Sequence, residues 1–157
     1  MTRIIIAAMG TNRVIGVGEG MPWHIPEEYE QYIRHVSGQT VIMGRRSWAI
    51  FGRDLTTTHN IVVSRSGQVT GALSVPSLEL ALAQAEEVGR TIFIAGGASI
   101  YTQALESDCV DEMYLSTIHG DYTGDSFFPA WNEANWDVVR REPHARFDFV
   151  VWRRRRE

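Results

Sequence analysis

Apolar residues fall along the chain in short continuous runs separated by stretches of helical periodicity, and that rhythm predicts strand–helix alternation. Arg3–Met9 is almost wholly apolar, as expected of a central parallel strand buried on both faces. The runs Thr40–Met43, Asn60–Ser64, Ala72–Val75, Thr91–Ala95 and Glu112–Ile118 predict five further strands. Ile25, Tyr29, Tyr32, Ile33 and Val36 recur at helical spacing. Pro26 stands in the first turn of that helix, where its missing N–H costs nothing. The helix should end near Ser37-Gly38, with Glu27, Glu30, Gln31 and Arg34 on its solvated side and Glu28 at the edge of the apolar stripe. A short helix opens at Gly44-Arg45-Arg46-Ser47 and stops at Gly52; Ser77 caps another that runs to Val88, and a fourth spans Ala98 to Leu105. Trp136–Arg141 and Phe147–Trp152 alternate in period two, like strands of an antiparallel pair. The sum is an α/β fold: an open, mostly parallel central sheet of about eight strands, with helices on both faces and an antiparallel C-terminal edge.

Composition narrows the function. The 157 residues are expected to form a single domain, 1–157, long enough to bury a core. A net charge of −4, with 44% hydrophobic and 22% charged residues, argues against a dedicated nucleic-acid or membrane-surface binder. The run from Ile4 to Met9 is too short to cross a membrane. A lone cysteine, Cys109, cannot form an internal disulfide and suits a reducing cytoplasm, while its acidic neighbours speak against a nucleophilic thiol. All fifteen basic residues are arginine, which removes Schiff-base chemistry and the phosphate-loop lysine. The histidines are scattered and read as surface or capping residues, and no motif has metal-ligand spacing. Arg153-Arg154-Arg155-Arg156 reads as a solvated strand end rather than a nucleic-acid site.

Chemistry should gather beyond the carboxyl ends of the strands, where open α/β sheets bind ligands. Gly44-Arg45-Arg46-Ser47 and Ser64-Arg65 offer guanidiniums and hydroxyls there, and Gly96-Gly97-Ala98-Ser99 allows close backbone approach at a helix N-terminus. Three anion-binding signals at one edge suggest a dinucleotide, and the surplus arginines suggest an extra phosphate, hence NADPH. Gly10–Gly20, rich in glycine, reads as a long mobile connection of the kind that covers an active site. Glu28 lies between Trp23 and two tyrosines, where a carboxylate suits a flat, hydrogen-bonding heterocycle.

Six segments, in order, resemble the dihydrofolate reductase family: Ile6-Ala7-Ala8, Arg13-Val14-Ile15-Gly16, Met21-Pro22-Trp23, Val41-Ile42-Met43-Gly44-Arg45, Gly96-Gly97-Ala98-Ser99-Ile100-Tyr101 and Gly124-Asp125-Ser126-Phe127-Phe128-Pro129. The resemblance implies hydride transfer from NADPH to pterin C6 of 7,8-dihydrofolate and protonation at N5, in a monomeric cytoplasmic enzyme. It makes Glu28 the acid that meets the pterin N–H and 2-amino group. Trp23 becomes the wall that helps hold a water, and Met21 the end of a lid running from Gly16. Ile6, Ala7, Tyr29, Tyr32, Phe51, Arg53, Leu55 and Ser116 would meet substrate, Ser116 through a bond to Glu28. Ala8, Ile15, Gly16, Gly44, Arg45, Arg46, Ser47, Ser64 and Arg65 would hold NADPH together with Gly96, Gly97, Ala98, Ser99, Ile100 and Tyr101. Asp125 would latch the lid, and Gly96-Gly97 would carry a cis peptide. Two positions depart from the family pattern: Thr58 stands where an arginine pairs with the folate glutamate, and Tyr29 where an aliphatic residue is common. Arg53 is the candidate to replace the missing arginine. The rival readings are a same-fold NADPH-dependent reductase of another heterocycle, of riboflavin-pathway type, and a non-catalytic nucleotide-binding module.

Overall fold

Three consecutive isoleucines set the centre of the molecule: Ile5 is fully buried and its neighbours Ile4 and Ile6 nearly so. They belong to β1 (Arg3–Gly10), which pairs in parallel with β6 (Ile92–Ile94) on one side and β7 (Glu112–Ile118) on the other. A computed structural model describes residues 2–18 and 20–156. Outward from β6 lie β3 (Thr40–Gly44), β4 (His59–Val63) and β5 (Leu73–Val75), all parallel. Beyond β7, β10 (Phe147–Arg154) and β9 (Trp136–Pro143) run antiparallel. The eight-stranded order is β5-β4-β3-β6-β1-β7-β10-β9.

Strand alternation divides the core between the two faces. Ile5, Ala7, Met113 and Leu115 pack with α3 (Leu78–Val88) and α4 (Ala98–Glu106). Ile4, Ile6 and Phe93 turn the other way, against α1 (Pro26–Val36) and α2 (Arg45–Phe51). Fully burying one such isoleucine contributes roughly 1.5–3 kcal/mol. The helix ends follow local chemistry. Pro26 opens α1, with Glu27 and Glu28 in the first turn and Arg34 and His35 in the last, which matches the helix dipole. The Ser77 hydroxyl accepts from the Leu80 N–H, and Gly89 closes α3 in the left-handed region at φ 77°.

The structure departs from the sequence reading at three places. The connection after β1 is not a bare loop: β2 (Val14–Gly16) pairs antiparallel with β8 (Ser126–Phe127) in a separate two-stranded sheet. Gln31 is buried rather than solvated, because it lies one turn beyond Glu28 on the face that tilts toward the sheet. His35 is not a surface or capping residue; it stacks on Phe149 at 5.2 Å and meets the Tyr114 edge at 5.1 Å. Burial lowers its pKa below the usual imidazole value.

The terminal arginines are engaged within the fold. Arg153 pairs with Glu112, Arg154 with Asp108, Arg155 with Asp137 and Arg156 with Asp111. Arg154 is the inner member: its side chain is 11% exposed, it donates to the Val110 carbonyl at 2.9 Å, and its guanidinium lies 4.5 Å from the Trp136 ring centroid. Arg154→Ala is therefore expected to cost about 1.5–3 kcal/mol, the usual worth of hydrogen bonds to a charged group. Arg156→Ala, at 61% exposure, should cost only about 0.2–1 kcal/mol. Thermal melts of the two variants check the contrast; equal losses would mean that depth in the clasp does not matter.

Candidate active site

A carboxylate is the least comfortable residue in this core. Glu28 is 7% exposed, on the face of α1 that looks at β7. Its partner is Ser116, itself 2% exposed, whose hydroxyl donates to Glu28 Oε2 at 3.1 Å. Ser116 pairs with Ala8 across the β1–β7 ladder, so the acid sits above the carboxyl half of the two central strands. Burial raises the Glu28 pKa, and the Ser116 hydroxyl only partly opposes it. Burial above all, with Glu28 beside Tyr32 and with Tyr32 and Glu28 beside Tyr101, holds both phenols firmly protonated. Tyr101 donates to the Ile6 carbonyl at 2.8 Å, leaving Glu28 as the acidic group of this end.

From Glu28 a cleft of about 720 Å³ runs across the strand ends. Its inner part is lined by Ile6, Ala7, Ala8, Met21, Tyr29, Tyr32 and Phe51. Its other arm is formed where β3 meets α2 and β6 meets α4: Gly44, Arg45, Arg46, Ser47, Arg65 and the run Gly96–Tyr101. Two backbones come close there. The Gly44 N–H donates to the Gly96 carbonyl at 2.8 Å, and a Cβ on Gly97 would lie 3.3 Å from Ser47 Oγ. The Gly96–Gly97 bond is cis. Gly44 and Gly97 cap α2 and α4 with no side-chain hydrogen bond, so the first N–H groups of both helices are left for a ligand. Arg45, Arg46 and Arg65 are exposed and have no carboxylate partner among the described residues. Their positive charge with two helix N-termini suits a phosphorylated, elongated ligand; a side chain at Gly96 or Gly97 would narrow the cradle.

A lid edges the cleft. The Gly18 N–H donates to Asp125 Oδ2 at 3.2 Å and the Asp125 N–H to the Gly16 carbonyl at 3.0 Å, beside the β2–β8 pair. Glu19, within the lid read from the sequence, lies outside the described residues. Tyr122 supports the base: its ring meets Trp23 edge-on at 5.2 Å, and its carbonyl accepts from Asn12 Nδ2 at 2.8 Å.

Most residues singled out in the sequence converge on this cleft; five stand behind or beside its walls. Trp23 is buried in a cluster with Ile25, Phe147 and Phe149, and its indole N–H has no protein partner, so it can serve a polar ligand atom. Ser116 acts from behind Glu28, and Leu55 is buried beneath α1 in a cluster with Val36 and Met43. Ser64 is buried at the end of β4, and Arg53 is exposed at the rim. Sequence reasoning missed Ser66, which accepts from Arg45, and Gln103, which lines the cleft and donates to Ser99 at 3.0 Å. Gln103 was findable, being one helical turn after Ser99; Ser66 follows a strand end with no local signal. Ile50, Val63, Pro76 and Ser126 also line the cleft.

An open α/β sheet with a buried carboxylate at one end of a strand-end cleft and a glycine-arginine cradle at the other defines a nucleotide-dependent enzyme of the reductase type. A sequence profile described as dihydrofolate reductase matches residues 2–154, and the chain belongs to that family. The type A13 dihydrofolate reductase of Escherichia coli is 36% identical over 140 residues, 88% of this chain and 84% of that protein. The Bacillus subtilis dihydrofolate reductase is 35% identical, covering 87% of this chain and 81% of that one. A solved dihydrofolate reductase from Enterococcus faecalis, complexed with NADP(H) and RAB-propyl, superposes with a TM-score of 0.89 at 26% identity, covering 98% of this chain and 96% of that one.

Proposed function

We propose that the cleft binds NADPH along its arginine arm and 7,8-dihydrofolate against Glu28, and reduces the pterin to tetrahydrofolate. The observation that carries this is Glu28 itself, a buried acid held by Ser116 at the closed end of the cleft. A carboxylate accepts from two parallel donors, so it pairs with a ring N–H and its neighbouring amino group. Once bound, NADPH supplies a hydride for pterin C6. Ala7, Ala8 and Ile15 form the wall on which the two rings would meet, while Gly16, Gly18, Gly20 and Met21 at the cleft edge would exclude water. Glu28 polarises the pterin from its far edge, and N5 takes its proton from a water held near Met21 and the Trp23 indole. Arg45, Arg46, Arg65 and Ser47 hold phosphates, with Ser64 behind them, and Gly96–Tyr101 hold the cofactor backbone at the α4 N-terminus.

Among the described residues no group of acids, histidines and cysteines could hold a metal ion, and no helix is long and apolar enough to cross a membrane. Cytoplasmic residence is part of the same reading, supported by the lone Cys109. So is a single-domain, monomeric state, supported by the charged residues Arg140, Arg141 and Glu142 along the edge strand β9, which discourage pairing.

The test is NADPH oxidation with dihydrofolate, followed with Arg45→Ala and Arg65→Ala. Each variant should raise KM for NADPH by roughly ten- to a hundredfold, as loss of one charge-assisted phosphate contact does, with little change for NADH. Equal losses with both cofactors would remove these arginines from the extra phosphate. Intact NADPH binding without turnover of dihydrofolate would move the substrate to another heterocycle.

A further inference from the structure

The cleft runs from Glu28 between α1 and α2, past Tyr29, Ile50 and Phe51, which gives a substituent on a ring anchored at Glu28 a way out. Tyr29 of α1 and Phe51 of α2 flank that exit, their ring centroids 6.4 Å apart, and Tyr29 also leans on Tyr32 at 5.8 Å. Tyr29 is a wall with a tether. Its hydroxyl donates to Asp54 Oδ2 at 2.6 Å, the short length of a bond to a charged acceptor. That bond ties α1 to the turn after α2 and fixes a carboxylate at the rim. Burial and Asp54 together keep the Tyr29 proton in place.

The cations that could oppose this carboxylate are few. Thr58 faces inward: its hydroxyl donates to Asn60 Oδ1 at 2.7 Å, and the Asn60 amide donates to the Leu55 carbonyl at 3.1 Å. This chain of bonds is closed and neutral. Arg53 is the cation of the turn, and it stands one residue from Asp54 with its charge acting on Tyr29. Among the described residues the turn beside Tyr29 therefore offers one positive charge, Arg53, and one fixed negative charge, Asp54, while an incoming folate presents two carboxylates. Placing a dianion beside Asp54 repels as much as Arg53 attracts.

We propose that this rim does not read the dicarboxylate end of folate, so that the substrate class is 7,8-dihydropterins with or without the glutamate, and that the Tyr29–Asp54 clasp is the element that sets this. The proposal rests on the dihydrofolate reductase reading and assigns its substrate range. Recognition then comes from the pterin at Glu28 and the apolar passage past Tyr29 and Phe51. Asp54 acts as a specificity residue through the charge it holds at the exit.

The experiment compares kcat/KM for 7,8-dihydrofolate, 7,8-dihydropteroate and 6-methyl-7,8-dihydropterin with NADPH, in wild type, Asp54→Asn and Arg53→Ala. In wild type, dihydrofolate and dihydropteroate should agree within about threefold, well under the roughly ten- to hundredfold that a charge-assisted tail contact provides. Asp54→Asn should raise the ratio of dihydrofolate to 6-methyl-7,8-dihydropterin by about three- to tenfold, and high salt should erase the gain. Asp54 is exposed, so the variant is expected to fold, and its melt is the control. A wild-type preference for dihydrofolate over dihydropteroate above about thirtyfold, lost in Arg53→Ala, would overturn the proposal and make Arg53 the tail receptor. An unchanged ratio in Asp54→Asn would overturn the role of the clasp. Absence of turnover with all three pterins would instead fell the reductase reading beneath it.

Discussion

Glu28→Gln should be slower and more stable at the same time. Turnover of dihydrofolate is expected to fall by about 10²–10⁴-fold, the usual range for a group that assists proton transfer. The loss should be greatest above neutral pH. There the solution holds little substrate already protonated at N5, and polarisation by Glu28 matters most; as pH falls, protonated substrate partly rescues the variant. The stability change has the opposite sign. Burial raises the Glu28 pKa above its ordinary value of 4.5, so the native carboxyl holds its proton more tightly than the unfolded chain does. That contribution to stability is complete below 4.5 and is lost as pH rises through the native pKa. Above its raised native pKa the wild type carries a desolvated carboxylate, and glutamine, which can still accept from Ser116, does not. The expected gain is about 1–3 kcal/mol, which is several degrees in Tm, vanishing toward acid pH. Turnover within threefold of wild type at every pH would remove Glu28 from the chemistry; a melt that falls at high pH would mean the buried charge is better compensated than Ser116 alone allows.

Gly124→Val should damage catalysis from outside the cleft. A Cβ at this position would fall well inside contact distance of the Gly16 carbonyl oxygen and Val14 Cγ1. Neither neighbour can step aside, since Gly16 is backbone paired with Ser126 and Val14 is 1% exposed. The two-stranded sheet must open, and with it the bond from the Gly18 N–H to Asp125 Oδ2 and the bond from the Asp125 N–H to the Gly16 carbonyl. Displacing the lid by about 1 Å from its working position is expected to cost on the order of 10²-fold in the hydride-transfer rate. Overpacking of this size costs roughly 1–3 kcal/mol in stability. The check is single-turnover kinetics with NADPH and dihydrofolate beside a melt. An unchanged single-turnover rate with a lowered Tm would assign Gly124 to folding alone. Asp125→Asn should move the rate in the same direction but by less, because asparagine keeps one acceptor for the Gly18 N–H.

The order of strands and helices was legible because each depends on a pattern within a few residues. Unbroken apolar runs announced β1, β3 and β4, and helical spacing from Ile25 to Val36 announced α1. Glu28 could be located as a residue at the boundary of an apolar stripe, and the glycine-arginine segments could be placed at strand ends. The errors arose where a pattern was too short or its partner too distant. β2 has three residues and β8 two, fewer than any periodicity can reveal, and they stabilise each other only after the chain has returned. Gln31 reads as polar and solvated until one knows that the fold closes over its side of α1.

By itself, then, the amino-acid order determined the types of the longer elements, the main apolar stripe of each helix and the residue kinds available for chemistry, all of which follow from local periodicity and composition. The tertiary structure decided which of those groups meet. Ser116 reaches Glu28 across 88 residues of sequence, Gly18 reaches Asp125 across 107, and Tyr29 reaches Asp54 from another element. The four terminal arginines, read as a solvated strand end, became an ion-paired clasp for the same reason: Asp108, Asp111, Glu112 and Asp137 arrive beside them only when β7, β9 and β10 pair. A carboxylate's desolvation, a guanidinium's partner and a lid's latch are properties of distance in space, and distance along the chain does not encode them.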